Sequence, residues 1–273
     1  MPEPNDEVLL GRLVRAFGGV PGIRAIVLGG SRARGEASAA SDYDIGLYYE
    51  PDSAIDVGRL AKAAMLLSGA ASSSVTAVGE WGPWINGGAW LTVDGRRIDL
   101  LYRDLGRVRA VIEACQAGRV ERAYQPGHPH AFVSSIYMGE MALCRVLWDP
   151  DTVLGSIKRQ CDSYPEALCE ALIRTFFWEA RFALENAQHG RGREDPAYVA
   201  GCAFRSVACL CQSLFAHNRT WLLNEKGAVA GVERLTIRPA DFATRVQQAV
   251  HEGAAGLPQL TALVEETAAL LKA

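Results

Sequence analysis

The sequence predicts an α/β (α+β) domain built on a mixed sheet, followed by an α-helical domain. Three observations carry this expectation. In the first half, short β-rich runs alternate with amphipathic helical stretches. The dipeptide Asp94-Gly95, suited to the positive dihedrals of a tight turn, joins two of those runs into a hairpin. Beyond about residue 130 the pattern turns helical, with apolar residues three and four apart.

Taken in order, Val8, Leu9, Leu13, Val14 and Phe17 share one face of a helix over 6–17, which Gly18-Gly19 ends. Pro21-Gly22 turns the chain into a strand over 23–28, stopped by Gly29-Gly30-Ser31. A second strand covers 44–49 and a helix 55–67; the hairpin strands are 89–93 and 96–102, and a helix follows over 104–117. Helices of this half should lie mainly on one face of the sheet. His128-Pro129-His130 reads as a turn, and helices are expected over 132–147, 165–188, 195–217, 239–252 and 257–272. Breaks fall at Asp149-Pro150, Tyr164-Pro165, 190–195 and 227–231, so the domains are placed at 1–148 and 149–273.

The 31 acidic and 28 basic residues leave a net charge of −3, which provides no basic track for a nucleic acid. The opening Met-Pro-Glu-Pro-Asn-Asp-Glu is acidic, unlike a signal or transit peptide, and the apolar stretch 61–71 is too short to cross a bilayer. No nucleic-acid partner and no membrane are therefore expected, and a cytoplasmic location is. The seven cysteines lack C-x-x-C spacing and mostly fall in apolar helical patterns, as buried reduced thiols would.

Chemistry concentrates in Gly29-Gly30-Ser31 and Asp42-Tyr43-Asp44. Glycines between a strand and a short helix let backbone N–H groups approach phosphate oxygens, and Ser31 adds a hydroxyl donor. Arg32 and Arg34 next to them read equally as phosphate contacts or as solvated charges. Asp42 and Asp44, two apart on a strand, point to one face while Tyr43, Ile45 and Leu47 point to the core. Paired carboxylates repel unless a cation sits between them, and hard oxygen ligands of this kind suit Mg²⁺. Asp99, between Ile98 and Leu100, joins that cluster if its strand is a neighbour; otherwise it is an edge-strand acid facing Arg97.

Gly30-Ser31, ten residues, Asp42-x-Asp44 and a later strand aspartate together resemble the signature of the DNA polymerase beta nucleotidyltransferase superfamily. The resemblance covers about residues 25–102. The helical half is similar in plan to antibiotic nucleotidyltransferases acting on aminoglycosides or lincosamides, an activity tied to antibiotic resistance. The resemblance implies that Asp42, Asp44 and Asp99 hold two Mg²⁺ ions and that Gly30, Ser31, Arg34 and Lys226 bind a nucleoside triphosphate, ATP. A nucleoside monophosphate then passes to a hydroxyl of a small-molecule acceptor, and pyrophosphate leaves. Glu179 is the candidate general base, with Glu140 and Asp195 as lesser candidates, against an exposed helical position making intrahelical contacts. Trp81, Trp84 and Trp90 read as a pocket wall or as packing beneath a loop. Asn218 reads as a cap or as a pocket residue. Many related enzymes pair as homodimers, but no sequence feature here predicts an interface, and the oligomeric state stays open. Two rival functions are an AMPylating antitoxin-type enzyme acting on a protein and a non-catalytic nucleotide-binding regulator.

Overall fold

The computed structural model describes residues 4–71, 74–191 and 195–272. In chain order the elements are α1 (Pro4–Phe17), β1 (Ile23–Leu28), α2 (Gly30–Ala33), β2 (Tyr43–Tyr49), α3 (Val57–Ser68), β3 (Gly88–Val93), β4 (Arg96–Asp104), α4 (Leu105–Gln116), β5 (Arg122–Gln125), β6 (His128–Val133), α5 (Ile136–Leu143), β7 (Arg145–Trp148), α6 (Val153–Arg159), α7 (Glu166–Arg191), α8 (Pro196–His217), α9 (Ala228–Val232), α10 (Phe242–Glu252) and α11 (Leu257–Leu270). They form two compact units, Met1–Glu113 with Tyr137–Ser163, and Ala114–Ile136 with Tyr164–Ala273.

This division differs from a single cut after residue 148, and local contacts explain why. Lys158 on α6 donates to the carbonyls of Met141, Ala142 and Cys144 at 2.8–2.9 Å, which ties the segment after 148 to the end of α5. A Cβ at Gly118 would lie 2.7 Å from the Ala167 carbonyl oxygen, so the segment leading to β5 lies against the start of α7.

The first unit carries a five-stranded mixed sheet in the order β3-β4-β2-β1-β7, in which β2 and β4 run parallel and the other pairs antiparallel. Period-two alternation turns Tyr43, Ile45 and Leu47 of β2 and Ile98, Leu100 and Tyr102 of β4 to one face. There they join Leu9, Leu13 and Phe17 of α1 and Leu60 and Ala64 of α3 in one buried core. Each such large apolar side chain contributes roughly 1.5–3 kcal/mol on burial. Asp56 caps α3 by accepting from the Arg59 N–H at 2.9 Å. Asp94 and Gly95, at φ 51° and 76°, make the predicted tight turn between β3 and β4.

Two expectations are corrected. Residues 132–147 are not one helix: β6 runs to Val133, α5 covers only Ile136–Leu143, and β7 follows at once. β7 is an edge strand on β1, with Val27 opposite Val146, and four residues are too few to show alternation in sequence. His128-Pro129-His130 is not a turn but the start of β6; Gly127, at φ 90°, makes the turn instead. The predicted break at 190–195 lies partly outside the described residues.

The second unit holds the β5–β6 hairpin and helices α7 to α11. Ala180, Ala183 and Ala187 of α7 and Ala203 of α8 are buried, and small side chains let paired helices approach closely. The Ser206 hydroxyl crosses from α8 to donate to the Ala180 carbonyl at 2.8 Å. Among the described residues one helix, α8, is long and apolar enough to cross a bilayer, and 72% of that stretch is buried inside the protein.

Candidate active site

The parallel pairing of β2 with β4 sets Asp44 directly opposite Asp99, which makes neighbours of the two carboxylates that sequence spacing could not join. Both side chains are half-buried and lie on the face away from the core, and Asp42 sits just ahead of β2. The Asp44 carboxyl is pushed up to about 6, first by burial and then by the charges of Asp99, Asp42 and Glu140, with Arg34 opposing. Glu140 enters from α5.

The glycine turn is built against the same carboxylate. Gly30 has φ 60°, and a Cβ there would lie 1.7 Å from Asp44 Oδ2. The Gly29 N–H donates to the Asp44 carbonyl at 2.8 Å. The close approach and positive φ at position 30 require glycine, whereas the bond from residue 29 needs only a backbone N–H. Ser31 follows on the first turn of α2, half-buried. The two arginines part ways. Arg32 binds the Ser41 carbonyl at 2.8 and 3.2 Å, pairs with Asp6 at 3.2 Å, and stacks 3.8 Å over Tyr43. It therefore holds the loop. Arg34 is exposed and pairs with Glu36 at 2.9 Å, a contact weak enough in water to be exchanged for another anion.

Among the described residues, no three carboxylate, imidazole or thiol side chains already stand as a metal-ligand set. The Oδ1 atom of Asp42 lies 2.5 Å from Arg97 Nε. The donors nevertheless fit a divalent cation. Asp42, Asp44 and Asp99 are hard oxygen ligands on adjacent strands, and the mutual repulsion that lifts Asp44 is what a bound cation relieves.

Glu140 is held by Arg103, whose side chain is 3% exposed and donates through Nε and Nη2 to the two carboxylate oxygens at 2.8 and 2.7 Å. Sequence reading passed over Arg103. Period two on β4 places it on the face of Asp99, but in a strand where five of nine residues are charged no local signal sets it apart; its pairing with Glu140 does. The tryptophans divide between the two readings offered for them. Trp84 is buried, with its carbonyl accepting from the Tyr137 hydroxyl, and is packing. Trp90 lies opposite Asp99 on β3, is 62% exposed, and stacks on Trp81 at 4.5 Å between centroids.

The remaining candidates belong to the second unit. Glu179 is not exposed, as a helical surface position would be. It is 6% exposed, and its two oxygens are taken by Arg122 and Arg205. Lys226 is exposed, with its N–H donating to Asn224 Oδ1 at 2.8 Å. Asp195 caps α8 through the Tyr198 N–H at 3.0 Å. Asn218 both accepts from the Ile237 N–H and donates to the Ile237 carbonyl at 2.8 Å, so it braces a loop.

The position of Asp44 sets a pH dependence. Its folded value of about 6 exceeds the ordinary 3.8, so between them the folded chain holds a proton that the unfolded chain has lost. Stability from this group is full below the ordinary value and is lost as pH rises through about 6. Protons compete with a cation over the same window. Mg²⁺ should raise the thermal midpoint at about pH 7.5 and barely at about pH 5, read by differential scanning fluorimetry. An equal shift at both pH values contradicts the assignment.

Residues 9–80 match the family model described as the nucleotidyltransferase domain. The match takes in α1 from residue 9 onward, the glycine turn, both residues of the Asp42-x-Asp44 pair, and α3; Asp99 lies beyond it and joins through strand register. No curated protein matches the sequence. A solved structure of a nucleotidyltransferase-like protein from Exiguobacterium sibiricum 255-15 is similar at 9% identity, covering 97% of this chain and 78% of that chain, with a TM-score of 0.42. The N-terminal part of the chain is thus similar to nucleotidyltransferase domains over the elements that carry its glycine turn and aspartate pair, which supports nucleotidyl transfer as its chemistry.

Proposed function

We propose that the chain is a Mg²⁺-dependent nucleotidyltransferase that moves AMP from ATP to a hydroxyl of a small molecule, an aminoglycoside- or lincosamide-like compound being the leading acceptor. The observation that carries this reading is the alignment of Asp44 with Asp99 beside the glycine turn. Asp42, Asp44 and Asp99 would hold the cations, which supply charge neutralisation at the transferred phosphoryl group. Gly30, Ser31 and Arg34 would hold the outgoing phosphates by backbone N–H, hydroxyl and guanidinium donation. Lys226 is assigned the role of a further triphosphate contact, as in the resemblance noted for the helical half.

Sheet order supports an assignment of sides. β1, with its glycine turn, and β3, with Trp90, lie to opposite sides of the β2–β4 pair. If the pyrophosphate rests over the glycine turn, in-line displacement brings the acceptor from the other side, over β4 and β3. The acceptor oxygen attacks the α-phosphorus, the bond from that phosphorus to the bridging oxygen breaks, and pyrophosphate carries away the bonding pair. Asp99 takes the hydroxyl proton in this scheme, from its place opposite Asp44 on the acceptor side of the β2–β4 pair.

A Mg²⁺-dependent pyrophosphate-release assay with ATP and a panel of aminoglycosides and lincosamides tests the reading; release that depends on one acceptor is the expected result. ATP binding without release from the whole panel would move the assignment to a protein acceptor. In the same assay Trp90→Ala should raise the acceptor KM about tenfold, the loss of one good ring contact, with the KM for ATP unchanged. A rise confined to ATP would reverse the assignment of sides.

A further inference from the structure

Helix α7 buries one face and leaves the other uncovered. Phe176, Ala180, Ala183, Leu184 and Ala187 are buried, while Trp178 is 63% and Phe182 50% exposed. The two exposed rings stack on each other at 5.2 Å with 10° between their planes, and with Ile173 and Phe177 they line an open groove of about 450 Å³. Arg174, Arg181 and Glu185 border the same groove, and among the described residues no ion pair is formed by any of them. Large aromatic rings kept this open, rimmed by uncommitted charges, mark an association surface.

The order of residues along that face identifies what covers it. Arg174, Trp178, Arg181 and Glu185 follow a 4-3-4 spacing, the seam of two helices packed side by side. In an antiparallel pair related by a two-fold axis level with the 179–180 peptide, residue 174 meets 185 and residue 178 meets 181. Each layer is then complementary: Arg174 faces Glu185, and the Arg181 guanidinium lies over the Trp178 ring. A two-fold axis makes every such contact twice, so the face is its own partner.

We propose that this α7 face joins a second copy of the chain in an antiparallel, two-fold symmetric dimer. About three turns of helix on each side put the contact at the small end of specific interfaces, so a dissociation constant in the micromolar range is expected, on the order of 1–10 µM. The inference is independent of the catalytic reading.

Sedimentation velocity of the full chain from about 1 to 100 µM tests it. The wild type should pass from monomer to dimer across that range. Arg174→Glu and Trp178→Ala should each weaken the dimer at least about tenfold with unchanged far-UV circular dichroism and thermal midpoint. The double variant Arg174→Glu/Glu185→Arg, which restores opposite charges in the outer layers, should recover it to within about threefold of wild type. A wild type that stays monomeric at the highest concentration overturns the proposal. So does a dimer that Arg174→Glu leaves intact, or a double variant no stronger than the single one.

Discussion

Asp44→Asn lowers nucleotidyl transfer by at least about 10²–10³-fold, and at about pH 8 it raises the thermal midpoint of the metal-free protein. The two effects have opposite signs and one cause. Asparagine keeps the shape of the side chain but removes a negative charge from a group that Asp99, Asp42 and Glu140 already crowd. The metal-free fold gains from that removal, because the carboxylate is the form that the fold disfavours above about pH 6. Catalysis loses, because a neutral amide is a poor ligand for a hard cation. Asp42→Asn should match the loss of activity with little gain in stability, since its charge is already compensated by Arg97 at 2.5 Å. Pyrophosphate release and differential scanning fluorimetry on the same preparations check both readouts. Wild-type turnover by either variant would remove the metal-site assignment, and a lowered midpoint for Asp44→Asn would remove the electrostatic one.

The second large effect concerns Arg103. With its side chain 3% exposed and its guanidinium held at two points by Glu140, it keeps a charge in the protein interior that burial alone disfavours. Glu140→Ala leaves that charge uncompensated, and removing one member of a buried pair costs about 3–5 kcal/mol. Arg103→Met with Glu140→Leu replaces both by apolar groups and should recover most of the loss. Urea unfolding of the two single variants and the double variant supplies the cycle. A single-variant loss below about 1 kcal/mol would place the pair with ordinary surface contacts. Glu140→Ala also withdraws one of the charges acting on Asp44, so the onset of Mg²⁺ binding should move to lower pH.

Much of this arrangement was legible in the sequence because it depends on short-range rules. Alternation on 43–47 and 98–102 set the two aspartates of the strands opposite to the core, and Asp94-Gly95 fixed the hairpin that carries Asp99. That β2 and β4 are neighbours was not legible. It depends on pairing across a crossover of some fifty residues, and nothing local to Asp44 or Asp99 encodes it. β7 escaped notice because four residues beside a strongly apolar helix leave no period of their own. Glu179 misled for a related reason. An acid among apolar helical residues reads as a surface position, and its burial becomes intelligible only once Arg122 from a hairpin and Arg205 from another helix converge on it.

The interleaving of the two units bears on how the chain emerges from the ribosome. The sheet of the first unit is built from residues 23–104, but its edge at β1 is closed only by β7, after the hairpin of the other unit has been made. Until residue 148 appears, the main-chain groups of β1 that β7 will pair remain open, the condition under which strands join the wrong partner. Nascent chains stalled between residues 105 and 145 should be the stage at which this protein depends most on chaperones.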